Sequence, residues 1–337
     1  MPKVTPTFLV GFETEVKGIV VDNWRRVIAE LMWDRVMKVR PASTKTTILT
    51  WLLETARIYP EGNGGNKRFD DIVAASHSLD VEDFGAGLDL TKNEIEDNQL
   101  KTTAGNVAAL DYAAKWAKDV AASSAYHPQE SLFKLIKAGT TGLCYDGLPF
   151  FSKVHTINPN GGGGLYSNIV ENVPLIVAPA GAQTEQDVRL IARRNLGKVI
   201  AHIGKQRFLN GVPRRLKPRA LIVPSDLEDE ARFLVGAGII AQNSNTVSQV
   251  AGLEVVKAPE LDDEPANFYV GVEDMLDDEM GGFIYSERMP FGIQMYGPQT
   301  EAVLNRMKKF QWSMDGRNTA TYGHPFLFYK CFAGAAP

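Results

Sequence analysis

The chain is poor in cysteine. Cys144 and Cys331 are the two it has in 337 residues, and two thiols build no disulfide framework. They read as reduced thiols of a cytosolic product. Paired ligand spacings are missing as well. There is no CxxC and no HExxH, and the five histidines, at 77, 127, 155, 202 and 324, are scattered. Structural zinc wants about four nitrogen or sulfur ligands at short spacings, so no metal is expected. Positive charge is not in excess: 36 Lys and Arg stand against 40 Asp and Glu, a formal net charge of −4. A protein that neutralises many phosphates carries a basic excess. One that only encloses nucleic acid does not need it. No apolar run approaches the roughly 18 residues that cross a bilayer. The start, MPKVTPTFLVGFETEVKG, lacks the basic opening, apolar stretch and cleavage site of a signal peptide. Synthesis in a cytoplasm, with no membrane partner, is the expectation.

Motifs of nucleotide and hydrolase chemistry are also wanting. Asn160 is followed by Gly161 to Gly164, but no Lys-Ser/Thr comes after them, so this is no P-loop. No serine lies in GxSxG. The acidic runs Glu228-Asp229-Glu230, Asp262-Asp263-Glu264 and Asp277-Asp278-Glu279 lack the alternate spacing and glycine of a calcium loop. They read as solvated faces.

What is present is a 44% hydrophobic chain able to fill a real core. The first twenty residues show no period and read as an extended arm. In VDNWRRVIAELMWDRVMKVR, the residues Trp24, Val27, Ile28, Leu31 and Val36 sit near helical spacing. Residues 51 to 95 give strand-like pieces around a glycine-rich tip, Gly62 to Asn66. Ile72 to Val81 and Phe84 to Leu90 are expected to pair. This excursion is too polar and broken to bury itself, and such a ribbon needs something to lie on. A long helix is expected from Asn98 to Ser124, with Ala109, Tyr112, Ala113, Trp116 and Val120 on one face. A break is expected at Tyr126-His127-Pro128, then a second helix from Pro128 to Lys137, stopped at Gly139.

From residue 184 to about 275 helix and strand alternate. Thr184 with Asp187, and Ser225 with Glu228, look like capping boxes. Ala192, Leu196, Val199, Ile200 and Ile203 form a buried helix face, and residues 219–224, 253–256 and 268–272 read as strands. The C-terminal part is strand-rich, with Phe310, Trp312 and Met314 alternating as one face of a half-buried sheet should.

One stretch concentrates reactive side chains: LCYDGLPFFSKVH, Leu143 to His155. A nucleophilic cysteine needs a base within reach and a lowered pKa. Cys144 sits instead between Leu143 and Tyr145, in the setting of a small buried hydrophobe. Asp146-Gly147 reads as a turn, with aspartate bonding nearby backbone and glycine accepting positive φ. Pro149 fixes the exit, and Phe150 and Phe151 anchor two faces. No catalytic, cofactor-binding or metal-ligating residue is assigned, and no cofactor is expected.

The order of parts resembles the HK97-like major capsid fold of tailed phages. WLLETARIYPEGNGGNKRFDDIVAASHSLDV, KNEIEDNQL and HPQESLFKLIKAGTTGLCYDGLPFFSKVH resemble the Mu-like phage major head subunit (gpT-type) family, most specifically over residues 50 to 160. Asp146, Gly147, Pro149, Phe150, Phe151 and His155 occupy the places of its motif. Val154 stands where that family usually has an acid, and Asp146 and His155 are given no role beyond shaping the turn. The resemblance implies an α+β fold. Its parts are an N-terminal arm and helix (1–45), an extended β-loop (46–95), a peripheral domain with a long spine helix (96–174 and 285–337), and an axial α/β domain (175–284). It implies a non-enzymatic shell protein that self-assembles into hexamers and pentamers of an icosahedral virion capsid around double-stranded DNA. A separate scaffold, a maturation protease, a portal and decoration proteins are expected partners. Some relatives cross-link lysine to asparagine, and Lys67 lies near the loop tip. The alternatives are a nanocompartment (encapsulin-like) shell, a Cys/His hydrolase centred on Cys144 and His155, and a generic oligomeric α/β binding protein.

Overall fold

The computed structural model describes residues 6–52, 74–97, 100–102, 105–158, 164–177, 184–240, 243–245, 247–249, 252–274, 281–296 and 309–336. The expected loop tip at Gly62 to Asn66, Lys67, most of the glycine run and Asp277-Asp278-Glu279 lie outside these.

Helix α1 (Pro6–Ile28) opens the chain. The extended arm expected over the first twenty residues is therefore largely helical. Val16 and Val20, one turn apart, are buried against Ala113, Ala117 and Val120 of the long helix. So narrow a stripe leaves little period to read. Past Ile28 the chain turns through a 3-10 segment, Trp33–Arg35, into β1 (Met37–Pro41). Leu31 and Val36, expected on the helix face, lie beyond its end.

β2 (Thr46–Leu52) pairs antiparallel with β3 (Ala74–Asp80). β4 (Glu82–Thr91) pairs with neither of them; it adds to a distant C-terminal strand. The expected pairing of Ile72–Val81 with Phe84–Leu90 is thus corrected. One residue, Val81, separates β3 from β4, too few for a two-residue hairpin turn. Val81 is buried and its N–H donates to the Lys45 carbonyl, so the chain changes sheets there. Thr91 and Glu94 cap α2 (Lys92–Asp97) reciprocally, and β5 (Leu100–Thr102) and β6 (Gly105–Val107) form a small hairpin. The long helix α3 (Ala109–Ala138) begins well after Asn98.

Pro128 lies inside α3, which runs through it without the expected break. Proline in a helix costs about 3 kcal/mol. Leu132, Phe133 and Ile136 beyond it are at most 3% exposed, and burying each contributes about 1.5–3 kcal/mol. Packing on both sides of the proline outweighs the lost hydrogen bond.

Short strands β7 (His155–Thr156), β8 (Leu165–Tyr166) and β9 (Ile169–Val170) follow. α4 (Glu185–Gly204) starts with the capping box expected from Thr184 and Asp187, and buries Ala192, Leu196, Val199 and Ile203. After β10 (Leu216–Val223) comes α5 (Glu228–Gly236). Here the expected cap fails: Ser225 bonds Asp262 through its N–H and hydroxyl, at 2.7 and 2.9 Å, while Glu228 holds Arg232 and Lys257. Two-residue strands β11 (Ile239–Ile240) and β12 (Asn243–Ser244) precede β13 (Glu254–Lys257), β14 (Phe268–Asp274), β15 (Phe283–Tyr296), β16 (Lys309–Tyr322) and β17 (Phe328–Cys331).

Two sheets carry the fold. One has the order β1-β15-β16-β4, the other β13-β10-β14-β17-β9. Phe310, Trp312 and Met314 alternate inward as expected and pack under α1 and α3. The second sheet draws β10, β13 and β14 from residues 175–284 and β9 and β17 from outside that range, so one sheet joins both parts of the chain.

Candidate functional site

The end of α3 and both sheets meet at Leu143–His155. Gly139 ends the helix as expected, with an ordinary φ of −64°. The need for glycine there is spatial: a Cβ would stand 2.5 Å from the Phe151 ring. Leu143 and Pro149 form a bridge, and the Cys144 N–H donates to the Leu148 carbonyl at 2.9 Å. Inside this loop Gly147 has φ +75°, and the Leu148 N–H donates to Asp146 Oδ1 at 3.1 Å. The aspartate-glycine turn is built as its residue types dictate.

Phe150 and Phe151 point to two different sets of rings. Phe150 stacks on Tyr322 at 4.8 Å and lies 4.9 Å from Phe283, both in the first sheet. Phe151 packs on Tyr269 and Phe328 of the second, at 5.9 and 6.1 Å. The two aromatics rivet helix, sheet and sheet together.

Asp146 and His155 do more than shape a turn. Asp146 Oδ2 lies 2.7 Å from His155 Nδ1, and neither side chain is exposed at all. The other ring nitrogen, Nε2, lies 2.9 Å from the Phe150 carbonyl oxygen. A ring with protons on both nitrogens donates to each of these acceptors. Burial alone would push the Asp146 carboxyl up; the His155 ring and the N–H groups of Leu148 and Thr156 bring it below the usual carboxylate range. Asn168, fully buried, ties in the next segment by donating to the Phe150 carbonyl at 2.6 Å and accepting from the Ser152 N–H at 2.9 Å. Sequence spacing gave no sign of Asn168, because its partners are backbone atoms.

Cys144 completes a group of three: its Sγ, an Asp146 oxygen and a His155 nitrogen lie within 4.8 Å of one another. Burial, then the Asp146 charge, pushes the thiol well up. It is a protonated, enclosed thiol, not a thiolate. His155 has both nitrogens committed elsewhere, so the geometry gives Cys144 no general base. Of the remaining histidines, His127 bonds Asn318 at 3.0 Å and His324 caps a 3-10 turn through Phe326. Cys331 is buried in the second sheet. The described acidic clusters are tied into pairs: Glu230 with Arg189, Asp263 with Lys137, and Glu264 with the buried Lys330.

The architecture is that of HK97-like phage capsid proteins. A capsid protein of cyanophage P-SCSP1u matches 90% of this chain and 88% of its own at TM-score 0.50 and 12% identity. The procapsid protein of bacteriophage JBD30 matches 97% of this chain and 75% of its own at TM-score 0.49 and 16% identity.

Within that class, residues 22–176 match the family model of the Mu-like prophage major head subunit gpT. The major capsid protein of Escherichia phage Mu is 28% identical over 164 residues, covering 45% of this chain and 49% of that one. The chain thus spans about half the length of the curated relative it matches. The matched residues contain the whole of the corner, so the resemblance read from residues 50 to 160 stands: over 22–176 the sequence is like that of a Mu-like major head subunit.

Proposed function

We propose that the chain is the major head protein of a tailed phage, and that many copies of it close into an icosahedral shell around double-stranded DNA. The observation that carries this is the corner. It falls inside the matched family segment, and its chemistry (an aspartate, a histidine and two phenylalanines) is spent on joining helix to sheets. A subunit that must keep one shape in hundreds of contacts needs such a joint; a hydrolase needs an accessible nucleophile. The net charge of −4 suits a wall that retains DNA without gripping it.

In this reading residues 1–45 are the arm and first helix, 46–95 the extended loop, 96–174 with 285–337 the peripheral domain, and 175–284 the axial domain. The subunits form hexamers and pentamers, aided by a separate scaffold, a protease, a portal and decoration proteins, and are made in a host cytoplasm. A nanocompartment shell would use the same fold, but the family match favours the phage head. Negative-stain microscopy of the purified full chain, alone and with its scaffold, tests the proposal. Closed particles are expected. Small discrete oligomers under both conditions would sink it. Cys144→Ser should assemble like wild type, as a structural thiol allows.

A further inference from the structure

A second cluster lies at the start of β14, where that strand meets β17 in the second sheet. Lys330 is enclosed there, its side chain 4% exposed. The rings of Phe332, Tyr269 and Phe151 surround its ammonium, with centroids 5.0, 5.6 and 5.8 Å away. A lysine is seldom held so deeply without a paired acid, and Glu264 supplies one. Its carboxylate takes Lys330 Nζ on both oxygens, at 2.9 Å to Oε1 and 2.7 Å to Oε2.

The same Oε2 accepts from two further groups, Asn267 Nδ2 and the Tyr269 hydroxyl, each at 3.1 Å. Amine and carboxamide thus converge on one oxygen atom. The backbone sets this up. The Asn267 N–H donates to the Glu264 carbonyl at 3.1 Å, so a tight turn brings those two side chains together. Lys330 stands opposite Tyr269 in the ladder, and Asn267, two residues before Tyr269, falls on the same face. Such diagonal neighbours are within reach of a long side chain. The other end of the carboxamide is held as well: Asn267 Oδ1 accepts from the Ala333 N–H at 3.3 Å. An amine, a carbonyl with an N–H on its oxygen, and a carboxylate touching both the amine and the amide nitrogen are the parts of an acyl transfer. An ion pair by itself would need no asparagine.

We propose that Lys330 and Asn267 of one chain join in an amide bond, with Glu264 as the acid–base group. Glu264 takes a proton from Lys330 Nζ, and the neutral amine attacks Asn267 Cγ. The charge that develops on Oδ1 meets the Ala333 N–H. Glu264 hands its proton to Nδ2 as the Cγ–Nδ2 bond breaks, then takes the second proton that Nζ sheds. Ammonia leaves and carries that proton off as ammonium, which regenerates the carboxylate. One C–N bond forms and one breaks, and nothing is oxidised or reduced. Holding the two reactants in place removes most of the entropic barrier to such a step. The Glu264 side chain is 41% exposed, and this open side gives ammonia its way out. The product also removes an enclosed charge whose desolvation the ion pair has to offset. The link needs no second copy, so it is independent of the shell reading.

Peptide mapping of the purified full chain, held for days in buffer, tests it. Tryptic digestion and mass spectrometry should find a branched peptide joining Lys330 to Asn267, lighter by one ammonia than its two parts. Glu264→Gln should slow its appearance about a hundredfold or more, and Lys330→Met and Asn267→Ala should abolish it. Circular dichroism checks that each variant folds. Wild-type chain held in urea should form no link, which tests the need for this geometry without any substitution. Complete cleavage after Lys330 with no branched peptide would overturn the proposal. So would a link that forms as fast in urea or in folded Glu264→Gln. Ammonia lost only as a succinimide at Asn210-Gly211, with the peptides of 267 and 330 still separate, would overturn it too. A wild type that forms only small oligomers removes the shell reading and leaves this link to be judged by the same peptide.

Discussion

The corner and the expected loop both lie within the matched segment 22–176, yet they settle their surfaces differently. The buried side chains of residues 139–155 find partners at home: Phe150 and Phe151 each have rings from their own chain, and Asp146 and His155 have each other. Among the described residues the β2–β3 ribbon is a two-stranded sheet of its own: Leu49 and Leu79 on one face are buried in the main core, while Ile48 on the other is 67% exposed. β4, expected to share that unfinished character, does not: it completes the first sheet, and Leu90 at its end is 1% exposed. Unfinished surface is therefore confined to less than the whole of 46–95. Changes in the corner should strike the folded subunit, and changes in the ribbon should strike association.

The largest effect should come from cutting across that divide. Deleting Arg57 to Asp89 takes away β3 and most of β4, and so uncovers β16 with its buried Phe310, Trp312 and Met314. That subunit should fail to fold cooperatively in urea melts. Replacing only residues 53–73 with a short Gly-Ser linker keeps β2, β3 and β4. It should give a folded subunit that forms no closed shells under the microscope. Equal stability of the two truncations would erase the distinction between β4 and the ribbon.

Next in size is the rivet. Phe150→Ala empties a site that is 0% exposed, and such truncations cost about 3–5 kcal/mol. A urea midpoint close to wild type would show that the two sheets hold without it. Asp146→Ala should cost about 1–3 kcal/mol, because it leaves a buried ring nitrogen of His155 without its hydrogen-bond partner. The pair also sets a pH dependence. The folded pKa of Asp146 is depressed, so its contribution is present above the unfolded value, about 4. It is lost as pH falls through the lower folded value. Stability measured from pH 6 to 3 should fall more steeply in wild type than in Asp146→Asn.

These contrasts also mark what the sequence made legible. The turn at Asp146-Gly147, the cap at Thr184, the strands of the second sheet and the alternation at Phe310 follow from local rules, and they stand. The misreadings share one cause: the deciding contact is remote. Pro128 stays helical because Leu132, Phe133 and Ile136 are held from the far side. β4 leaves β3 because a C-terminal strand offers a longer edge, matched over ten residue pairs from Thr91 to Glu82. Ser225 turns to Asp262, 37 positions away, and not to Glu228. The Asp146–His155 pair was within reach of spacing, since a tight turn brings residues nine apart together. Without an acid at Val154 the pairing had no sequence signal of its own.

The smallest effect on the subunit should come from Ile48→Ser, and it is the most discriminating. Ile48 lies on a half-open surface with Val39, Pro41 and Leu49. At 67% exposure it contributes little to the isolated fold, and surface changes of this kind stay within about 0.5 kcal/mol. If the ribbon is covered by a second copy, that side chain becomes buried on association, and removing it weakens the contact by about 1 kcal/mol or more in each subunit of a closed particle. Repetition over a shell multiplies the loss, so assembly should shift to higher concentration while the urea midpoint holds. Loss of both together would mean the ribbon supports its own chain. Loss of neither would mean that nothing covers it, and the divide between corner and ribbon would then be one of exposure alone.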